Sequence, residues 1–249
     1  MSFDLNLWHI AAIFAAYFFA ATAKGVTGIG FTTTCLPILA LLFGLKEALP
    51  LVIIPSVLSN LLVMRQASHF KETLARFWPL LLALLPGLAL GLWMLSQIEG
   101  ELASGILGVM IILWIGFSLV KPNLSLPAHL ERPLAPVTGF VTGTINGVTG
   151  SQVMPVVQFL MMLKMPREPF IQAVNCSFTL SSFIMAFGLG RLGLFSMQDV
   201  SISLLGSCVM FVGVSLGGAI RHRLSETVFR KAILLILSVT ALSLIVPAL

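Results

Sequence analysis

Two short polar stretches interrupt an otherwise apolar chain. The stretch "KGVTGIGFTTT" occupies residues 24–34, and the shorter "NGVTGSQ" occupies residues 146–152. A glycine-rich break between two helices frees backbone N–H groups that lipid cannot satisfy, so each break must face protein, water or a ligand. Helix N-termini, hydroxyl groups and one lysine together offer positive charge and hydrogen-bond donors. The chemistry that these stretches favour is therefore anion binding.

The candidate binding residues lie in these breaks and on the apolar segment that follows each one. Lys24 would be a charge partner for an anion, and Asn146 is its counterpart in the second stretch, so the two breaks are not equivalent. Residues four apart share a helix face, which pairs Ser56 with Asn60 and Asn175 with Thr179. The candidate substrate-binding residues are Lys24, Gly25, Thr27, Gly28, Gly30, Thr32, Thr33, Ser56, Asn60, Asn146, Gly147, Thr149, Gly150, Ser151, Gln152, Asn175 and Thr179.

Each of these features also has a purely structural alternative. Glycines permit tight helix crossings in membranes, a lysine at a helix end can snorkel towards water, and serines often bond back to their own helix. The break occurs twice, and both times hydroxyl or amide residues follow it. This repetition favours binding over packing.

The composition indicates the protein class. Hydrophobic residues make up 58% of the 249 residues and charged residues only 9%, whereas soluble domains carry about 25% charge. The apolar runs are long and nearly continuous, unlike the alternating strands of a membrane barrel. We expect an all-α polytopic membrane protein, and the N-terminus, which lacks a basic region and a cleavage site, is interpreted as its first helix.

Apolar runs predict ten helical segments. They are 5–23, 34–45, 48–64, 78–95, 102–120, 133–145, 151–163, 170–189, 200–220 and 232–249.

An internal duplication divides these segments into two sets of five. "GVTG" at 25–28 returns at 147–150, an offset of 122 residues, and Lys46-Glu47 corresponds to Arg167-Glu168 at an offset of 121. We therefore predict a first transmembrane repeat at residues 1–120, a cytoplasmic linker at 121–134 and a second transmembrane repeat at 135–249.

The basic residues predict the orientation. If the first two segments of each half together cross the membrane an even number of times, eleven Lys and Arg residues share one side and two lie on the other, with Lys24 set aside. If each pair of segments crossed the membrane only once, six Lys and Arg residues would lie on one side and seven on the other, which is no bias. The positive-inside rule favours the first arrangement. Both termini then lie outside the cytoplasm, the repeats are inverted, and the site lies at their interface. Short tilted helices and re-entrant hairpins both satisfy this parity.

Other chemistry lacks the residues it would need. All nine acidic residues lie in loops or at segment ends, so no carboxylate relay for ion coupling is visible. The three cysteines lie in apolar stretches without a CxxC motif, and we expect neither a metal nor a cofactor. No catalytic triad or HExxH arrangement is available to an enzyme. The expected partners are a small anion and the lipid bilayer, not nucleic acid, with a homodimer left open.

Both repeats resemble the motifs of the TauE/SafE family of sulfite exporters. The residues that carry the resemblance are "GVTGIGFTTTCLPILALLFGLKEALPLVIIPSVLSN" in the first half and "GTINGVTGSQVMPVVQFLMMLKMPREPFIQAVNCSFTLSS" in the second. The resemblance implies export of small sulfur-containing anions across the bacterial inner membrane, with the glycine motifs as central elements. Where the first repeat has Gly30 the second has Gln152, and Pro37 is replaced by Phe159. The added amide makes a larger organic acid a second substrate class, and an anion channel or uncoupled uniporter is the alternative function.

Overall fold

The computed structural model describes residues 6–27, 30–67, 69–120, 124–220 and 226–248. This part of the chain is helical, without a strand, and the ten predicted segments correspond to ten α-helices. A short 3-10 turn, Val246–Ala248, follows the last one. The helices are α1 (Leu7–Thr27), α2 (Phe31–Phe43), α3 (Leu45–Ala67), α4 (Phe70–Gln97), α5 (Gly100–Val120), α6 (Ala128–Thr149), α7 (Val156–Met162), α8 (Arg167–Arg191), α9 (Met197–Ile220) and α10 (Glu226–Ile245).

Helix length confirms a polytopic membrane protein with broken helices. Within the described residues, α1, α3, α4, α5, α8 and α9 are long and apolar enough to cross a bilayer. Helix α2 has 13 residues and α7 has seven, so they extend only about 20 Å and 10 Å at 1.5 Å per residue. Neither can cross a hydrocarbon core of about 30 Å by itself. Both short helices follow a glycine with left-handed backbone, Gly30 at φ 102° and Gly150 at φ 70°.

Several helix boundaries differ from the sequence-based expectation. Lys24 and Asn146 were expected in the breaks, but α1 continues to Thr27 and α6 to Thr149, so both residues lie in the last turns of helices. The seventh segment was expected to begin at residue 151, but α7 begins at Val156. Proline explains this delay, because Pro155 suits the start of a helix and disfavours helical backbone in the residue before it. Helix α6 begins earlier than expected, at Ala128, inside the proposed linker.

Each short helix folds back along the long helix that precedes it. The rings of His9 and Phe43 lie 5.5 Å apart, so the end of α2 is beside the start of α1. In the second half, the Leu126 N–H donates to the Met162 carbonyl over 2.9 Å, which joins the end of α7 to the residues before α6. Both halves therefore begin with a hairpin that returns to the level at which it started.

The two halves interleave. Helix α1 packs on α9 of the other half, and α6 packs on α4 in the same way. Helix α3 packs on α8, and α5 on α10, so these pairs join corresponding helices of the two halves. These four pairings are preserved when the halves are exchanged, as a duplication predicts. The inverted orientation of the repeats stays a prediction.

The α1–α9 and α4–α6 crossings depend on glycine. A Cβ on Gly25 would lie 2.9 Å from the Gly217 Cα, and a Cβ on Gly147 would lie 2.7 Å from the Gly91 Cα. These distances are shorter than carbon–carbon contacts of about 3.5–4.0 Å. Only residues without a side chain let the backbones approach this closely, as small residues commonly do in membrane bundles.

Candidate functional site

Lys24 is buried in the last turn of α1. Its side chain is only 2% exposed, and the ammonium group donates three hydrogen bonds to oxygen atoms of α3 and α8. The Nζ atom lies 2.5 Å from Asn60 Oδ1, 3.1 Å from Ser59 Oγ and 3.4 Å from Asn175 Oδ1. An ammonium group has three donors, and here all of them point to neutral oxygens. We call Lys24, Ser59, Asn60 and Asn175 the lysine cluster.

The charge of the lysine cluster has no carboxylate partner among the described residues. The ion pairs found there join His69 to Glu72 and Arg76 to Glu131. The acidic residues of the described helices lie in first turns, at Glu47, Glu72, Glu101, Glu131, Glu168 and Asp199. A buried charge without an opposite charge is unfavourable, and amide oxygens compensate it only partly. The cluster is therefore suited to accept an anion.

A small cavity lies beside the lysine cluster, where the two hairpin tips meet α3 and α8. Its volume is about 10 Å³ as traced by the centre of a water molecule, which is room for about one water. The residues with polar side chains that line it are Thr32, Ser56, Asn146, Gln152 and Ser182, and the others are Gly150, Leu49, Val52, Ile53 and Met185. Both hairpin tips, far apart in sequence, thus contribute to one cavity.

Several polar atoms of this cavity lack a protein partner. Thr32 Oγ1 donates to Ser56 Oγ over 2.8 Å, and Gln152 Nε2 donates to Ser182 Oγ over 3.1 Å. In contrast, neither amide atom of Asn146 nor the Oε1 atom of Gln152 has a partner among the described residues. Asn146 is completely buried. Because buried polar groups are nearly always hydrogen-bonded, these amides offer unused capacity to bind a ligand or a water.

Helix α3 connects the cavity to the lysine cluster. Ser59 Oγ, which accepts from Lys24, donates to the Ser56 carbonyl over 2.9 Å. Ser56 itself lines the cavity, and Asn60 lies one turn further along the same helix. The Nδ2 atom of Asn60 is buried without a partner among the described residues. The cluster and the cavity therefore adjoin along α3, and we call the two together the polar region.

Some predicted site residues lie outside this region or act within their own helix. Gly25 faces α9 and Gly147 faces α4 at the helix crossings described above, so neither lines the cavity. Three threonine hydroxyls donate to the backbone carbonyl four residues earlier in their own helix. These bonds join Thr27 to Ala23, Thr149 to Ile145 and Thr179 to Asn175. The Ser151 N–H donates to Thr149 Oγ1. Thr33 is half-buried in the first turn of α2, and Gly30 is the N-cap residue that precedes this helix. Gly28 lies outside the described residues.

Two helix N-termini with polar first turns were expected, one after each break, and the structure has this arrangement only in the first half. Thr32 and Thr33 do lie in the first turn of α2. Ser151 and Gln152 were expected to begin a helix in the same way, but they precede α7 and belong to the irregular connection after Gly150. In the second half the side-chain amide of Gln152, and not a helix end, faces the cavity.

Two site residues were missed in the set chosen from the sequence. Ser59 contacts Lys24, and Ser182 lines the cavity and accepts from Gln152. The sequence did contain a signal for Ser182, because it follows Asn175 by seven residues and therefore lies on the same face of α8 two turns later. The apolar lining residues carry no such signal, since they resemble every other apolar residue of the chain.

Comparison with known proteins places the chain in a family. A family model described as "Sulfite exporter TauE/SafE" matches residues 13–244, which is nearly the whole chain. No curated protein and no solved structure matches it.

Proposed function

We propose, because this chain belongs to the TauE/SafE family of sulfite exporters, that it exports a small anion across the bacterial cytoplasmic membrane by alternating access. The substrate would be sulfite, an organosulfonate or a related organic acid. The observation that carries this proposal is the buried Lys24 ammonium, which has only neutral partners among the described residues. An anion is the ligand that completes such a site.

The lysine cluster would exchange a neutral partner of the ammonium group for the anion. The oxygens of Ser59, Asn60 and Asn175 surround this group and stabilise it away from water. The bond to Asn175 is the longest at 3.4 Å, so an anion would displace this residue first. The Nδ2 donor of Asn60 has no partner among the described residues, and it lies on the residue that already binds the lysine. This N–H donor would then form a second hydrogen bond to the anion that pairs with Lys24.

The hairpin tips are suited to open and close the site. The cavity in this structure has room for about one water, which is too little for a three-oxygen anion together with its solvation. Thr32 ties one tip to α3 and Gln152 ties the other to α8. Substrate entry would require one of these contacts to open, and alternating access would open them in turn.

The proposed topology follows from the two hairpins. Helices α2 and α7 return to the level at which α1 and α6 begin. Each hairpin therefore contributes an even number of membrane crossings, and the uneven distribution of Lys and Arg then indicates the cytoplasmic side. The loops at 65–77, 121–132 and 221–231 would be cytoplasmic and both termini would be outside. Two polar contacts agree with this assignment. Arg76 pairs with Glu131, both on the proposed cytoplasmic side, and Lys46 donates to Ile98, both on the other side.

A uniporter or channel without ion coupling is the second candidate function. The observation in its favour is that the acidic residues of the described helices lie in first turns and not beside the lysine cluster. Protein reconstituted in liposomes with an imposed ion gradient distinguishes the two. A coupled carrier accumulates the anion above its equilibrium level, whereas a uniporter or channel only equilibrates it.

The test of the site is a substitution series at Lys24. Lys24→Met keeps the apolar stem and removes the charge, and it should weaken anion binding about ten- to hundredfold, as expected from a charge-assisted hydrogen bond of about 1.5–3 kcal/mol. Lys24→Arg keeps the charge and should weaken binding less. Calorimetry with methanesulfonate in detergent measures affinity, and efflux from liposomes measures transport. Lys71→Met, at an exposed lysine, is the matched control and should behave as wild type.

One result would contradict this assignment. If Lys24→Met and Lys24→Arg both bind and transport as wild type does, Lys24 is a structural residue and the anion site lies elsewhere. Loss of folded protein in Lys24→Met alone does not produce that pattern, because the Lys24→Arg variant retains the charge and still reports on binding.

A further inference from the structure

The charge of the polar region is unusually well defined. Lys24 is the one charged side chain among the buried residues that the structure describes. The remaining buried polar groups of the cluster and the cavity are neutral amides and hydroxyls, among them Asn60, Asn146, Gln152 and Asn175. With a charged ammonium, the region therefore carries one positive charge.

The two halves differ at the position that supplies this charge. Lys24 and Asn146 lie 122 residues apart, at corresponding positions of the repeated motif, and each is in the last turn of the first helix of its half. Lys24 has three oxygen partners, whereas the Asn146 amide is completely buried and has no partner among the described residues. Asn146 lines the cavity, so its side chain is positioned to contact whatever enters.

We infer that the site selects monovalent anions and that residue 146 sets this selectivity by being neutral where the other half has lysine. This inference rests on the proposed function. A monovalent anion and the Lys24 ammonium cancel each other, whereas a divalent anion would leave one negative charge uncompensated in the interior, which is strongly unfavourable. The transported species would then be hydrogen sulfite or a sulfonate, and not the sulfite dianion.

The Asn146 amide suits this neutral role. Its Nδ2 donates to an oxygen of the anion without adding charge, and its Oδ1 accepts from a hydroxyl such as that of hydrogen sulfite. A dianion without a hydroxyl would leave this acceptor facing negative charge. For hydrogen sulfite the same residue therefore favours the monovalent form twice, through the charge that it lacks and through the acceptor that it presents. For a sulfonate, which has no hydroxyl, only the missing charge counts.

Three ligands of similar size and different charge test the inference. Dimethyl sulfone is neutral, methanesulfonate carries one negative charge and sulfate carries two. They are titrated by calorimetry, at one fixed pH, into wild type, into Asn146→Asp, which is isosteric and would cancel the lysine charge, and into Asn146→Lys, which would double it. We expect wild type to prefer methanesulfonate, Asn146→Lys to prefer sulfate, and Asn146→Asp to lose methanesulfonate binding about ten- to hundredfold.

The outcomes separate this inference from the proposed function. If wild type binds sulfate as tightly as methanesulfonate, the monovalent selectivity is wrong while the anion site stands. If wild type binds neither sulfate nor methanesulfonate, and a separate titration shows no binding of hydrogen sulfite, the proposed function itself is wrong. If the variants bind all three ligands as wild type does, residue 146 does not set the selectivity. A variant that fails to fold does not prevent the decision, because the wild-type series tests the charge preference and the other variant tests the residue.

Discussion

Alanine in place of Gly147 should destabilise the fold without changing the intrinsic affinity of the site. Gly147 belongs to the repeated motif and is a natural candidate for a ligand contact by sequence. In the structure it faces α4 instead, where an added Cβ would lie 2.7 Å from both the Gly91 Cα and the Leu88 carbonyl oxygen. The atoms that it would meet are backbone atoms, which cannot rotate away, so the two helices must separate.

The expected magnitude follows from this geometry. Carbon–carbon contacts are most favourable at about 3.5–4.0 Å, so α4 and α6 must move apart by about 1 Å at the crossing. A gap of 0.5–1 Å already loses about a quarter to a half of each neighbouring contact. Overpacking of this kind typically costs about 1–3 kcal/mol. For a chain of this length, about 2 kcal/mol lowers the melting temperature by about 4–8 °C.

The assay compares two glycines that undergo the same chemical change. Gly116 lies inside α5, where no atom is within 4 Å of an added Cβ. Gly116→Ala should therefore keep the melting temperature or raise it slightly, because alanine favours a helix over glycine by about 1 kcal/mol. Melting of both variants in detergent is followed by calorimetry of methanesulfonate on the folded fraction. Gly147→Ala should melt earlier and bind with wild-type affinity.

The reverse pattern would refute the packing role. If Gly147→Ala melts at the same temperature as wild type but binds methanesulfonate at least tenfold more weakly, the glycine contributes to ligand binding and the crossing tolerates a methyl group. If Gly116→Ala loses as much stability as Gly147→Ala, the loss reflects a general property of glycine in this bundle and not the close approach of α4 and α6.

Three further predictions concern the hairpin tip, the topology and the surface. Gly150→Ala should lower melting temperature and transport together, because a side chain is strained in the left-handed backbone of Gly150 and its Cβ would push two leucine side chains aside. Wild-type values for both would contradict this prediction. In a variant without the native cysteines, an impermeant thiol reagent added outside should label Met197→Cys but not Ser125→Cys, and labelling of the latter would overturn the orientation. Arg76→Met breaks a surface ion pair in which the Arg76 side chain is exposed and the Glu131 side chain is partly buried. It should shift the melting temperature by less than about 4 °C, since surface pairs contribute about 0–1 kcal/mol.

Composition and spacing by themselves determined the class of the protein. A chain with 9% charge and long apolar runs has to form membrane helices, because backbone groups in lipid must pair within their own segment. The duplication and the glycine motifs were visible as local patterns, as was the resemblance to a family that the comparison then confirmed. Ser56, Asn146 and Gln152 were chosen from the sequence as candidate binding residues, and all three line the cavity.

Only the tertiary structure decided what each residue of the motifs contacts. Gly25 and Gly147 stand beside Lys24 and Asn146 in the sequence, but adjacent residues of a helix point about 100° apart. The glycines therefore face neighbouring helices, while Lys24 contacts Asn60 on α3 and Asn175 on α8. These contacts span up to 151 residues of sequence, a separation over which no local pattern carries information. Which polar groups meet is fixed by how the two halves interleave, and packing across the whole chain determines that arrangement.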